Sequence, residues 1–141
     1  MSRLIALALV LAVSPIAASA QTPLDPLKVL DGRWTFFGYR DEMGLEKACI
    51  EHFEDYKVSA DRRDIATNSV KGPGKGYRVL YTEGDSAVMY LNDEGRKLKA
   101  SGDRLIWVMI AESADRFRWR IYSQPSNPTE EGKFARVRCP K

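Results

Sequence analysis

Arg116-Phe117-Arg118-Trp119-Arg120-Ile121 is the stretch that decides the fold. Three apolar side chains alternate with three arginines. A period of two puts one face in a core and the other in water, as a half-buried β-strand requires. Working outward, the preceding run Leu105-Ile106-Trp107-Val108-Met109-Ile110 is apolar on both faces, as a more deeply covered strand would be. Arg78-Val79-Leu80-Tyr81 and Ala87-Val88-Met89-Tyr90-Leu91 are rich in β-branched and aromatic residues, which suit a pleated surface.

Turn signals separate these runs. Lys71-Gly72-Pro73-Gly74, Glu83-Gly84-Asp85, Asn92-Asp93-Glu94-Gly95 and Ser101-Gly102-Asp103 are all turn chemistry. Turns about every 8–12 residues mark an all-β sandwich or barrel. Strands are expected over residues 33–39, 47–58, 63–70, 76–82, 86–92, 104–111, 116–122 and 133–138, with 96–100 pairing against 104–111 if that piece is real. The connections up to residue 115 are short, which favours neighbouring antiparallel strands. The fold class is therefore all-β: an up-and-down meander of about eight strands that removes its edges by closing into a small barrel. One short helical turn precedes it, capped by Asp25 and opened by Pro26. Residues 123–132, with Pro125, Asn127 and Pro128, form the long connection, read as an ordered flap or a lid.

The start of the chain fixes a compartment. Arg3 precedes an apolar run over residues 4–13, and Ala18-Ser19-Ala20 has the small-x-small form of a cleavage site. Residues 1–20 read as a secretory signal, leaving residues 21–141 as one barrel domain. A transmembrane helix needs about 20 apolar residues, and the run is about half that. No Cys follows the cleavage site to carry a lipid. The expectation is a soluble exported protein, periplasmic or extracellular. In that compartment the even pair Cys49 and Cys139 is expected to form a disulfide. Strands about 4.8 Å apart would leave two regular-strand cysteines, one strand removed from each other, at about 10 Å. A bridge needs Cα atoms within about 7 Å. Cys139 must therefore curl past its strand, helped by Pro140.

A short helical turn followed by Gly32-Arg33-Trp34 and a strand resembles the opening of the lipocalin and wider calycin barrels. The resemblance implies that Trp34 lies where the first strand enters the barrel floor. It also implies that a basic residue near the last strand, Arg136 or Arg138, packs across that indole. The chain lacks the second lipocalin motif and room for the family's C-terminal helix. No helical pair is expected between the first two strands, unlike fatty-acid-binding barrels.

Most classes of chemistry find little to work with. The net charge of +3 falls to about +2 without Arg3, too small to argue for nucleic acid. His52, the single histidine, sits among carboxylates with no nucleophile in sight. Residues 41–64 carry eight carboxylates and four basic side chains, read as a solvated face with no calcium spacing. The Gly-Lys at 74–75 lacks the Ser or Thr of a phosphate loop. No metal or cofactor is expected, and no enzyme activity. Phe36, Tyr81, Tyr90, Trp107 and Trp119 are candidates to line the lumen. A small barrel is either filled by such side chains or holds one small ligand. The first functional expectation is a carrier of a small apolar or amphipathic molecule. The alternative is a protein-binding module, an exported inhibitor or envelope factor. Its loops and the basic stripe of Arg116, Arg118 and Arg120, with Lys97, Lys99 and Arg104 nearby, would meet an acidic protein or an anionic envelope surface.

Overall fold

A computed structural model describes residues 22–98, 101–123 and 135–141. The expected signal segment and nearly all of the long connection at 123–132 lie outside the described residues.

The chain opens with helix α1 (Pro26–Leu30). The Asp25 carboxylate accepts from the backbone N–H groups of Leu27 and Lys28, and Pro26 occupies the first turn, where no N–H is needed. Strand β1 (Gly32–Phe36) follows, then α2 (Phe37–Met43) and α3 (Leu45–Glu51). The remaining elements are β2 (Phe53–Val58), β3 (Asp64–Ser69), β4 (Gly72–Pro73), β5 (Tyr77–Glu83), β6 (Ser86–Leu91), β7 (Trp107–Ser113), β8 (Arg116–Ile121) and β9 (Ala135–Arg138).

All neighbouring strands are antiparallel, in the order β2-β1-β9-β8-β7-β6-β5-β3, and β3 pairs back to β2. Eight strands thus close into a barrel of calycin-like architecture, and the two-residue β4 only extends the end of β3. Closure leaves the ring without a free edge. Register fixes the lumen face. Trp34, Tyr56, Ile65, Met89, Met109, Phe117 and Trp119 point inward and pack together with Leu27 and Leu30 of α1. Helix α1 therefore plugs one end, the floor; the other end, where β1 finishes and β2 starts, is the mouth.

Several sequence expectations need correction. The strand expected over 33–39 stops at Phe36, and the one expected over 47–58 starts at Phe53. Between them lie two helices, where none was expected. Leu45-Glu46-Lys47-Ala48 are good helix formers, and Lys47 lies 3.9 Å from Glu51 one turn on. Gly44, at φ +86, makes the break between α2 and α3. The segment 96–100 forms no strand among the described residues; a single bridge, Lys97 to Arg104, stands in its place, and the strand expected from 104 begins at Trp107.

Thr35 faces outward from β1, fully buried, and its hydroxyl donates to the His52 carbonyl at 2.9 Å, with the Ala48 carbonyl at 3.2 Å. Helix α3 is therefore laid on the outer wall across β1. There Cys49 meets Cys139, with Cα atoms 5.7 Å apart in a disulfide. The expected pairing is present, but its geometry differs. Cys49 rides on a helix above the wall, so no second strand has to be spanned.

The floor is built around Gly32 and Trp34. The Trp34 ring N–H donates to the Leu30 carbonyl at 2.9 Å, and the ring meets Phe117 edge-on at 4.7 Å. The Arg138 guanidinium lies 4.2 Å over the indole and donates to the carbonyls of Val29, at 2.6 Å, and Asp31, at 3.3 Å. Gly32 has φ +142, and a Cβ there would stand 2.6 Å from Arg138 Nη1. Of the two arginines, Arg138 is the one across Trp34; Arg136 lies toward the mouth.

Candidate functional site

The mouth is where the lumen stops being packed. A cavity of about 210 Å³ opens there between β2, β3, β5 and β6. Its inner wall is Tyr56 and Tyr77, its rim Glu54, Ser69, Lys75 and Leu91. Tyr77 stacks on Trp119 at 5.1 Å and 14°, and Trp107 meets Trp119 edge-on at 6.4 Å. The cavity thus has an aromatic base and a polar edge.

A charged pair sits in this wall. Glu54 is opposite Trp34 in the register, so its side chain is on the lumen face despite its charge. One oxygen, Oε2, accepts from the Tyr56 hydroxyl at 2.7 Å and from Arg136 Nε at 2.8 Å. Arg136 is opposite both Phe36 and Phe117, which puts it on the lumen face of β9. Its side chain is only 8% exposed, and its guanidinium rests 3.5 Å over the Phe36 ring. Its Nη1 is buried without a hydrogen-bond partner. An unsatisfied buried donor costs about 1–3 kcal/mol.

A second pair lies beside Tyr77 and Trp107. The Glu94 side chain is 4% exposed and accepts from Arg96 Nε at 2.7 Å and Nη2 at 2.9 Å. Hydrogen bonding from Arg96 holds the Glu94 carboxyl below its ordinary range, against the cost of burial. The Trp107 ring N–H lies near enough to assist, yet meets no acceptor in good hydrogen-bond geometry. Both pairs act on Tyr77, and the Glu54–Arg136 pair acts on Tyr56 as well. Burial, reinforced by the charge of Glu54, pushes the Tyr77 phenol up to about 12 and raises Tyr56 well above its ordinary value. Both phenols are therefore neutral donors across the physiological range.

The residues singled out from sequence divide between the two faces. Trp119 and Trp107 are on the lumen face, Trp119 within the packed core and Trp107 toward the mouth. Phe36 is also on that face, but its ring is occupied by Arg136 and, edge-on, by Tyr39 at 5.5 Å. Tyr81 is outside and 45% exposed. A β-bulge between Val79 and Tyr81 explains this: one extra residue, Leu80, reverses the alternation, so Tyr81 opposes outward-facing Val88. Tyr90 is outside too, with the Arg104 guanidinium 4.3 Å over its ring.

His52 ends α3, and its ring stacks at 4.0 Å on Tyr39, which in turn meets the lumen-facing Phe36 edge-on. In the acidic stretch, Asp41, Glu51, Asp55 and Asp64 pair with surface Arg40, Lys47, Arg33 and Arg78. Glu54 alone turns inward to the cavity. The Gly-rich turn forms the cavity's rim, where Lys75 Nζ donates to the Asp93 carbonyl at 2.6 Å. Arg116 and Arg118 both pair with Glu112, and Arg120 donates to the Tyr122 carbonyl, so the stripe is largely engaged. Lys99 lies outside the described residues.

Glu54, Tyr56, Tyr77 and Glu94 escaped the sequence analysis. A signal for two of them was present. Glu54, Tyr56 and Val58 share a strand parity, which puts Glu54 on the face of Tyr56 once the strand is started at Phe53.

No protein-family profile, curated protein or solved structure matches this chain. No helix among the described residues is long and apolar enough to cross a membrane.

Proposed function

We propose that this protein is an exported, lipocalin-like binding barrel that takes one small amphipathic molecule at its mouth. The observation that carries this is the cavity itself: tyrosine walls over a stacked tryptophan, with charged groups at one side. Binding sites of this kind combine apolar lining with a few placed polar groups. The packed lower lumen, with Trp34, Phe117 and Met109 fully buried, leaves the mouth as the place for a ligand. The disulfide supports export, and the Gly32-Trp34-Arg138 floor supports the lipocalin likeness. Binding is favoured over catalysis because the acid and base groups at the mouth are already paired with each other, and the His52 ring is taken up by stacking on Tyr39.

Titration with N-phenyl-1-naphthylamine, read by quenching of tryptophan emission, tests the proposal. One saturable site is expected, weakened about tenfold or more in Leu91→Trp, which fills the cavity. Saturable binding untouched by that variant, or no binding, would overturn it.

The outer wall offers a second reading as a protein-binding surface. Leu80, Tyr81 and Tyr122 are exposed beside a shallow groove over Val88 and Val108. Retention of an acidic partner by the intact chain, lost in Tyr81→Glu with mouth binding unchanged, would favour it.

A further inference from the structure

We infer that the mouth takes a small amphipathic monoanion, an aryl carboxylate, with its head group on the Lys75 ammonium and its ring against Tyr56 and Tyr77. The inference rests on the mouth being a ligand site and names the chemistry of the ligand. The charges of the wall come first. Two charged residues line the cavity, Glu54 and Lys75. The Glu54 carboxylate is already engaged, accepting from Arg136 Nε at 2.8 Å and from the Tyr56 hydroxyl at 2.7 Å. Among the described residues, Lys75 Nζ meets no carboxylate; it donates to the Asp93 main-chain carbonyl at 2.6 Å. An ammonium carries three donors, so two are left for a ligand oxygen. Glu54 and Arg136 offset each other, and Lys75 gives the wall one positive charge in excess. Glu54 disfavours a head group on its own side of the mouth, which sets the orientation of the ligand.

The position of Lys75 is built into the fold. The turn that carries it is clamped onto β3: the Gly74 N–H donates to the Thr67 carbonyl at 2.9 Å, and the Gly76 N–H to the Thr67 hydroxyl at 3.3 Å. The Gly76 carbonyl in turn accepts from the Asn92 N–H at 3.0 Å. Neither flanking position has room for a side chain. A Cβ on Gly74 would collide with the Thr67 hydroxyl, and one on Gly76, at φ +70, would stand 2.7 Å from the Ile65 carbonyl. This Gly-Lys-Gly turn lacks the pattern of a phosphate loop, yet it fixes one ammonium at the rim. Thr67 is opposite Tyr56 in the register, so its side chain is on the lumen face and lines the same cavity. Its hydroxyl accepts from Gly76 and keeps a proton to donate to an anion. Tyr56 and Tyr77 add aromatic contact and, being un-ionised, no negative charge.

The test uses three near-isosteric probes: phenylacetate, 2-phenylacetamide and 2-phenylethylamine. Each is titrated calorimetrically into the full chain at neutral pH and low salt. Phenylacetate is expected to bind about tenfold tighter than the amide, a difference of about 1.4 kcal/mol, and the amine to bind most weakly. In Lys75→Met the preference of phenylacetate over the amide should fall to about one, and Lys75→Arg should restore it. Leu91→Trp should remove phenylacetate binding. Circular dichroism establishes that each variant is folded; if Lys75→Met does not fold, the ranking on the natural chain decides. The amide or the amine binding the natural chain as tightly as phenylacetate overturns the inference. So does a preference that survives in folded Lys75→Met, or phenylacetate binding that survives Leu91→Trp. If N-phenyl-1-naphthylamine binds and Leu91→Trp blocks it while the three probes are not ranked, the anion reading alone fails. If none of the four molecules binds, the mouth is not a ligand site and both readings fall.

Discussion

Arg136 and Arg138 are two residues apart on one strand face, yet they serve opposite ends of the barrel. Arg138 caps the Trp34 indole and ties down the two carbonyls at the end of α1. Arg136 stands behind the mouth with one nitrogen unpaired. Gly32 makes the Arg138 arrangement possible, through a backbone conformation that side chains rarely adopt and the space a Cβ would fill. Gly32→Ala should therefore lower the unfolding free energy by about 1–3 kcal/mol, measured by urea denaturation. The floor was legible from sequence because its signal is local, a Gly two residues before a Trp at the start of a strand. The mouth was not. Glu54 reads as one charge among eight in an acidic run, and only the register shows that it faces inward. Tyr81 misled for a related reason. Alternation predicts its face correctly until a bulge inserts Leu80, and no residue type in Val79-Leu80-Tyr81 announces one.

At the scale of elements, the outer wall around β1 depends on α3. The strand's outward Thr35 and the helix's Ala48 and Cys49 make a buried seam that the disulfide pins. The bridge joins residues 90 apart in the chain, and loop-closure entropy values such a link at roughly 4–5 kcal/mol. The double variant Cys49→Ala with Cys139→Ala should lower the thermal midpoint. Hydrogen exchange should locate the loss first in the amides of α3, ahead of β6 and β7. Equal protection of α3 and those strands in the variant would show that the seam holds without the bridge. These helices escaped the sequence analysis because each is seven residues long. So short a segment gives barely two turns of periodicity, and its apolar residues also fit a strand. The strand β8 was legible because its alternation runs through all six residues, and β6 and β7 because their apolar runs are bounded by turn residues.

For the whole molecule, the buried phenols set an alkaline limit. Tyr77 has a folded-state pKa of about 12 against an ordinary value of 10.0, and Tyr56 shifts in the same direction. Below about pH 10 both states hold the proton, and the full stability is present. As pH rises through the interval up to about 12, the unfolded chain loses protons that the folded chain retains, so stability falls. Tyr77 alone accounts for about 2–3 kcal/mol of that loss. Urea midpoints measured across this interval should decline steadily, and Tyr77→Phe should flatten the decline. A flat profile in the natural chain would contradict the burial of both phenols. The overall architecture was legible because short connections between alternating strands leave a closed meander as the economical arrangement. Which end is filled and which is open is not written in local pattern. It follows from α1 entering one end and from the inward turn of Glu54 and Arg136 at the other.

Arg138 also sets an order of events. It belongs to β9, the strand translated last among the described elements, while its carbonyl partners and Trp34 belong to the first two. A ribosome delivers α1 and β1 with the indole face uncovered and one side of β1 unpaired. Neither can be completed until more than a hundred further residues have emerged. Whatever structure forms earlier is an open sheet with two free edges, the state most exposed to pairing with another chain. Closing the ring demands contacts between the chain's most distant parts, which makes folding slow. A polypeptide built this way stays open along both edges until its final strand arrives, and that strand acts as the clasp that commits it.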